Sequence, residues 1–309
     1  MTRVRQLAQK MGYSPSLPAR SLVTRHTATI GLVITHASDP FLGQLVIGAE
    51  ETALDNGYSV FLSSSYRDAD RERKVIRDFY ERRVTGIIVT GSQIDAGYVQ
   101  VRQRFPLPIV LINFCDYPHS VSTDNLAGAQ QATEYLVQLG HRRIAYVSNH
   151  RSYQTDLDRY GGYKVVLTKH GIPADETLLV EGDGTLAGGV GAMQQLLALA
   201  QPPTAVFCFN DMTAMGVLRS LRTAGLEVPR DCSVIGFDDL EMATYYCPPL
   251  TTVRQPGYLL GRRAMRMLLQ LIQGREEVQA EILPAELVVR ETTGPAPAQA
   301  SRKKEVIEP

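Results

Sequence analysis

Four polar side chains stand at or just beyond the ends of short apolar runs. Asn113 follows Ile109–Ile112, Asn210 follows Ala205–Phe209, Asp238 follows Val234–Phe237, and Gln255 lies just past Leu250–Val253. Amides and carboxylates of this kind can hold a polyhydroxylated molecule in paired hydrogen bonds, because each hydroxyl both donates and accepts. Arg159 joins the group by pattern, as a donor for ligand oxygens, although a helical arginine at that spacing equally reads as a solvated charge. Phe41, at the mouth of a helix, is either a pocket wall or plain core. Simpler roles exist for the acids as well. Asp39 before Pro40 reads as a helix N-cap, as do Asp124 and Asp211, and Asp238–Asp239 reads as a turn. Capping does not predict that Asn113, Asn210, Asp238 and Gln255 all fall at the same end of their runs.

Other chemistries lack their residues. No GxxxxGK[ST] phosphate loop or GxSxG elbow occurs, and the six histidines show no metal spacing. The four cysteines, Cys115, Cys208, Cys232 and Cys247, form no CxxC pair and read as buried or free thiols of a reducing compartment. The run Gly182-Asp183-Gly184-Thr185-Leu186-Ala187 fits GxGxxA, but it comes late in the chain and no acid follows about 20 residues on, as a dinucleotide fold requires. A glycine-rich strand-to-helix turn accounts for it better. No catalytic acid–base pair, cofactor site or metal site is expected.

The elements that must position these residues alternate. Apolar runs at Ile30–Ile34, Val60–Leu62, Gly86–Val89, Ile109–Ile112, Ile144–Val147, Leu178–Val180, Ala205–Phe209 and Val234–Phe237 read as strands. Helical stretches fall between them at 41–56, 69–82, 125–139, 155–170, 186–200, 212–224 and 257–273, and Ile282–Val289, broken by Pro284, reads as two short strands. This is the pattern of right-handed parallel βαβ units, and eight or more strands suit two similar α/β lobes better than one sheet. In such sheets ligands sit beyond the carboxyl ends of strands, where the polar set lies.

Charge is distributed unevenly over the 309 residues. Lys and Arg total 32 and so do Asp and Glu, yet residues 1–38 hold Arg3, Arg5, Lys10, Arg20 and Arg25 and no acid. A basic arm of +5 on a body of −5 suggests an anionic partner at the amino end, or else a solvated tail. No apolar run nears the ~18 residues of a membrane span, and Met1-Thr-Arg-Val-Arg-Gln-Leu has no secretory apolar core, so a cytoplasmic protein without a membrane partner is expected.

In order, ATIGLVITHASDPFLGQLVIGAEE (28–51), VTGIIVTGS (84–92), VSTDNLAGA (121–129), LGHRRIAYVS (139–148), RYGGY (159–163), FNDMTAMGVLRSLRTAGLEVPRDCSVIGFDD (209–239) and PPLTTVRQP (248–256) resemble the lactose-repressor (LacI/GalR) family of transcription regulators. The resemblance runs from Thr2 to about Thr292. It implies an α/β fold of two Rossmann-like lobes, periplasmic-binding-protein-like, with effector between them and crossings near Thr123, Arg254 and Pro284. The expected divisions are 1–27 for a remnant of the DNA-binding head, 28–123 plus 255–284 for one lobe, 124–254 plus 285–294 for the other, and 295–309 for a flexible tail.

Carried over motif by motif, the effector contacts implied are Phe41, Asn113, Arg159, Asn210, Asp238 and Gln255. Asn113 stands where the family usually has Asp, and Gly184 stands where it often has an aromatic platform for a sugar face. At the amino end, TRVRQLAQKMGYSP (2–15) resembles the third helix of the family's head and LPARSLVT (17–24) its hinge helix, while the helix-turn-helix proper has no counterpart. Ala19, Arg20, Leu22 and Arg25 are then the residues for backbone contact and minor-groove insertion. The implied protein is an effector-responsive repressor, a homodimer, with a sugar or sugar derivative as effector and operator DNA as partner of the complete head. A cytoplasmic solute-binding or sensor protein without DNA binding is the alternative.

Overall fold

The computed structural model describes residues 27–94, 101, 103–114, 117–149, 153–275 and 278–297. Ala19, Arg20, Leu22 and Arg25 therefore lie outside the described residues. The chain divides into two compact units, one ending at Val121 and including Tyr258–Ala280, the other comprising Ser122–Gly257 and the segment from Glu281.

The first unit is built from β1 (Thr29–Ile34), α1 (Pro40–Asp55), β2 (Ser59–Ser64), α2 (Ala69–Glu81), β3 (Gly86–Thr90), β4 (Ile109–Ile112) and β5 (Ser120–Thr123), with α8 (Gly257–Ile272) added late in the chain. The sheet runs β11-β5-β4-β3-β1-β2, where β11 (Glu281–Leu283) and the last two residues of β5 lie past the first unit's bounds in sequence. The pairings of β1 with β2 and β3, of β3 with β4 and of β4 with β5 are parallel. β3 and β4 are buried at every residue, as strands covered on both faces must be, whereas the edge strand β2 leaves Phe61 and Leu62 exposed. Asp39 caps α1 by accepting from Phe41 N at 3.0 Å, and Pro40 supplies the first-turn φ without an orphan N–H.

The second unit contains α3 (Asn125–Gln138), β6 (Ile144–Ser148), α4 (Gln154–Lys169), a 3-10 turn (Glu176–Leu178), β7 (Leu179–Glu181), α5 (Leu186–Leu197), β8 (Ala205–Cys208), α6 (Asp211–Thr223), β9 (Ser233–Asp238), α7 (Glu241–Tyr245), β10 (Thr251–Arg254) and β12 (Glu286–Val288). The sheet order is β12-β10-β9-β8-β6-β7, parallel except for β12. Strand residues alternate between two separate cores. Ala145, Val147, Val206 and Cys208 pack with Met193 and Leu196 of α5, while Ile144, Tyr146, Ala205 and Phe207 pack with Val166 and Leu167 of α4. The period of two in a pleated strand therefore requires helices on both faces, and a near-continuous apolar run results.

Helices α5 and α6 cross at glycines. A Cβ added at Gly189 would lie 2.1 Å from Thr213 O, and one at Gly216 would lie 2.2 Å from Leu186 O. Backbone fills both places, so no rotamer change can make room.

Several expectations differ from the structure. Asp211 is not a cap: Asn210 caps α6 by accepting from Thr213 N at 2.9 Å, and Asp211 is the first helical residue, fully buried. Leu178 belongs to the 3-10 turn rather than to a strand. β5 (SVST) is polar in sequence yet buried at all four positions, and apolar-run counting passes over it. The short helix α7 also had no periodic signal. In the stretch expected as a tail, Ala296 N donates to Leu139 O at 2.8 Å, so order continues at least to that residue.

The α5–α6 crossing makes a stability prediction. Gly189→Ala and Gly216→Ala should each destabilise the protein by about 1–3 kcal/mol, the range for overpacked sites. Urea unfolding midpoints would show it; an unchanged midpoint in both variants contradicts the close crossing.

Candidate functional site

In the second unit the strand order reverses between β6 and β8, and the carboxyl ends of β8, β9 and β10 lead into Asn210, Asp238 and Gln255. The structure brings Arg159, Asp238 and Gln255 together there. Arg159 projects from α4 and is 3% exposed, so the reading as a solvated charge is overturned. Its Nε donates to Asn125 Oδ1 at 2.9 Å, its Nη1 donates to the Phe209 carbonyl, and Nη1 lies 4.0 Å from Asp238 Oδ1. The guanidinium plane sits over Phe237, 3.7 Å from the ring centroid, and 4.5 Å from that of Phe209. Burial pushes the Arg159 pKa below its ordinary value, and Asp238 is the strongest of the charges that oppose this. None of its hydrogen bonds to described residues uses Nη2.

Asp238 ends β9 with φ 127° and accepts a 2.6 Å hydrogen bond from Gln255 Nε2. An ionised carboxylate only accepts, so the amide end facing it must be the NH2 group, and the orientation of Gln255 is fixed. Its Oε1 is then buried without a hydrogen-bond partner among the described residues. An orphaned acceptor of this kind carries a desolvation cost of ~1–3 kcal/mol, which an incoming hydroxyl would relieve.

Asn210 is 5% exposed, and structural bonds occupy both ends of its amide: Oδ1 caps α6 and Nδ2 donates to Gly184 O at 3.0 Å. Gly184 has φ +75°, so an aromatic there would be strained, and an added Cβ would already lie 3.3 Å from the Asn149 side chain. The surrounding GDGTLA run is a strand-to-helix turn. Asp183 Oδ1 accepts from Thr185 N at 2.9 Å, and Thr185 Oγ1 accepts from Gly188 N at 3.1 Å to cap α5.

The first unit places Phe41 in the first turn of α1, 8% exposed, and Asn113 just beyond β4 in the left-handed region at φ 57°. Asn tolerates that conformation better than most residues do. Glu72, fully buried on α2, accepts from Ser92 Oγ at 2.6 Å and Gln93 N at 2.9 Å and so fixes the loop after β3. Asn125, Phe209, Phe237 and Glu72 were not singled out as site residues from sequence. The two phenylalanines end apolar runs and read as core. Asn125, next to the capping Asp124, was the one polar residue whose position could have drawn notice.

A second buried acid lies behind this group. Asp211 Oδ1 accepts from Thr252 Oγ1 at 2.5 Å and Oδ2 from Leu240 N at 2.8 Å. Burial raises its pKa to about 7; the two hydrogen bonds and Arg290 pull it down, and Asp239 pushes it up.

Among the described residues no cluster of His, Cys, Asp and Glu could hold a metal ion, and no helix is long and apolar enough to cross a membrane. The family described as periplasmic binding protein-like domain matches residues 133–293. The HTH-type transcriptional repressor PurR of Vibrio atlanticus (strain LGP32) is 34% identical over 297 residues, covering 94% of this chain and 88% of that protein. The chain belongs to the LacI family of repressors. Among solved structures, a Lac repressor dimer bound to operator and the anti-inducer ONPF superposes with a TM-score of 0.84 at 30% identity, covering 91% of this chain and 99% of that one. The transcriptional regulator CelR in complex with cellobiose gives 0.80 at 30% identity, covering 94% and 89%. The two parallel-sheet units are thus those of the family's periplasmic-binding-protein-like core.

Asp211 supplies a pH test. Its folded value of about 7 lies above the ~3.9 of an unfolded Asp, so the native state holds the proton more tightly between those values. Its contribution to stability is fully present below pH ~4, falls as pH rises towards 7, and is constant above. Asp211→Asn removes this dependence. The melting temperature of the variant minus that of the parent should rise from pH 4 to 7 and then level; a difference independent of pH would contradict the raised value.

Proposed function

We propose that this protein is a cytoplasmic, effector-responsive transcriptional repressor whose second unit grips a small polyhydroxylated molecule, a sugar or sugar derivative, through Arg159, Asp238 and Gln255. The observation that carries the reading is the Gln255 Oε1, buried without a hydrogen-bond partner among the described residues, on a side chain whose Nε2 is held by the Asp238 carboxylate that also faces Arg159, whose own Nη2 bonds to no described residue. Together they offer an acceptor and a charged donor to vicinal hydroxyls, and Asp238 is positioned as a second acceptor. The cellobiose in the CelR complex supports a carbohydrate-like ligand. Asn210 serves chiefly to hold α6 and the Gly184 turn in place, with one amide hydrogen left for ligand. Phe41 and Asn113 are the proposed effector contacts of the first unit, where Asn113 offers both donor and acceptor.

With Gly184 in place of an aromatic platform, the faces of Phe209 and Phe237 already occupied by Arg159 cannot stack a sugar ring. Phe41 is then the aromatic left to meet a sugar face, hydrogen bonds carry most of the affinity, and the site discriminates strongly against analogues lacking a bonded hydroxyl. The operator in the Lac repressor structure supports DNA as the second partner, with Ala19, Arg20, Leu22 and Arg25 as the proposed hinge contacts and a homodimer as the assembly. Effector alters DNA affinity by its preference for one conformation over another and by no more than that.

A thermal-shift panel of monosaccharides, disaccharides, sugar phosphates, nucleosides and purines tests this. A ligand at 100 times its dissociation constant adds ~2.7 kcal/mol of stability, a shift of several degrees. The shift should shrink sharply in Gln255→Leu and Arg159→Lys, each of which removes ligand hydrogen bonds while keeping most of the packing. A ligand whose shift survives intact in both variants would place the effector elsewhere.

A further inference from the structure

Asp211 is buried completely, yet it touches none of the groups proposed to meet the effector. What it touches are the segments that carry them. It follows Asn210 directly. Its Oδ2 accepts from Leu240 N, in the turn two residues past Asp238, and its Oδ1 accepts from Thr252 Oγ1, three residues before Gln255. β9 passes so closely that a Cβ at Gly236 would lie 2.2 Å from Asp211 Oδ1. One carboxylate therefore ties together the carboxyl ends of β8, β9 and β10.

The segment it ties down is strained. Asp238 and Asp239 are consecutive non-glycine residues at φ 127° and 57°, conformations that persist only where the surroundings hold them. Several restraints hold the segment, among them the Gln255 N–H donating to the Asp238 carbonyl at 3.4 Å. Leu240 N is held by Asp211, and Thr252 Oγ1, while donating to Asp211, lies 3.4 Å from Asp239 N as its acceptor. The Asp239 carboxylate accepts from Arg254 Nε at 2.7 Å and from Arg290 Nη2 at 2.5 Å. The two residues that follow Asp238 are thus both held, Asp239 by two arginines and Leu240 by Asp211.

We propose that Asp211 is a positioning residue of the effector site: through Leu240 N and Thr252 Oγ1 it holds the Asp238 turn so that Asp238 Oδ1 meets Gln255 Nε2 and the Arg159 guanidinium. This rests on the reading that Asp238 and Gln255 bind effector. A carboxylate in the first turn of a helix is also favoured by the helix dipole. That effect explains neither bond, since Leu240 and Thr252 lie outside α6 and draw the carboxylate towards β9 and β10.

The Gln255 side-chain amide reports on the arrangement without any ligand. Its Nε2 donates 2.6 Å to Asp238, so its nitrogen–proton cross-peaks in an NMR correlation spectrum should differ from those in Asp238→Ala, which marks the unpaired position. Asp211→Asn should keep the parent position, because its carbonyl accepts from Leu240 N and its NH2 donates to Thr252 Oγ1. Asp211→Ala should move the cross-peaks at least half-way to the Asp238→Ala position, with the Ala145 and Val206 backbone peaks unmoved. If Asp211→Ala does not fold, Thr252→Val, nearly isosteric, gives the answer by a smaller shift in the same direction. Gln255 peaks unmoved in the folded Ala variant, or in Thr252→Val where that variant decides, would overturn the proposal, as would equal displacement by Asn and Ala. Because no effector is present, these results are separate from the success or failure of the ligand panel.

Discussion

Taking the Arg159 guanidinium out of water costs several kcal/mol even after a protein relaxes around it, and most of what surrounds that group offsets the cost. Asn125 Oδ1 and the Phe209 carbonyl accept from it, Phe237 lies beneath its plane, and Asp238 supplies the nearest opposing charge at 4.0 Å. These four partners come from three elements: the start of α3, the end of β8, and the end of β9, which supplies both Phe237 and Asp238. The position of one side chain thus depends on the correct assembly of three strand or helix termini, and the sheet order provides it. Removing Asn125 would leave the buried guanidinium short of a hydrogen bond, and removing Asp238 would leave it short of its opposing charge, so the group is held in place with no ligand present.

That rigidity has a functional consequence. A site whose donors and acceptors are fixed in advance loses little entropy on binding and discriminates by which hydrogen bonds a ligand can complete. Gln255 Oε1, buried without a hydrogen-bond partner among the described residues, is the acceptor proposed to be completed by ligand. Asp211, a second buried acid, accepts from Leu240 N and Thr252 Oγ1, and burial raises its pKa to about 7 against the pull of those bonds and of Arg290.

Much of the alternating architecture was legible in sequence because buried parallel strands must be apolar on both faces. Ile109–Ile112 and the runs at Ile144 and Ala205 mark their strands within a residue. β5 was illegible for the complementary reason, as its Ser and Thr side chains are buried and short, and hydropathy does not distinguish buried hydroxyls from loop. Within the site, the strand-end rule drew attention to Asp238 and Gln255, which the structure does bring together. It could not separate Asn210 from Asp211. Both directly follow the same run, and only three-dimensional contacts show that the first is the cap and the second is buried against β9. The burial of Arg159 was hidden too, since a helix in isolation gives its arginine no reason to turn inward; that reason comes from Asn125, 34 residues earlier in the chain.

The most direct test of this account is a crystal structure of the protein with the first ligand that raises its melting temperature. The account predicts a ligand oxygen within ~3.2 Å of Arg159 Nη2 and a ligand hydroxyl donating to Gln255 Oε1. The bonds from Arg159 to Asn125 and from Gln255 to Asp238 should remain as they are without ligand. A ligand bound away from these atoms, or an Arg159 swung out of its place over Phe237 to reach it, would contradict the account.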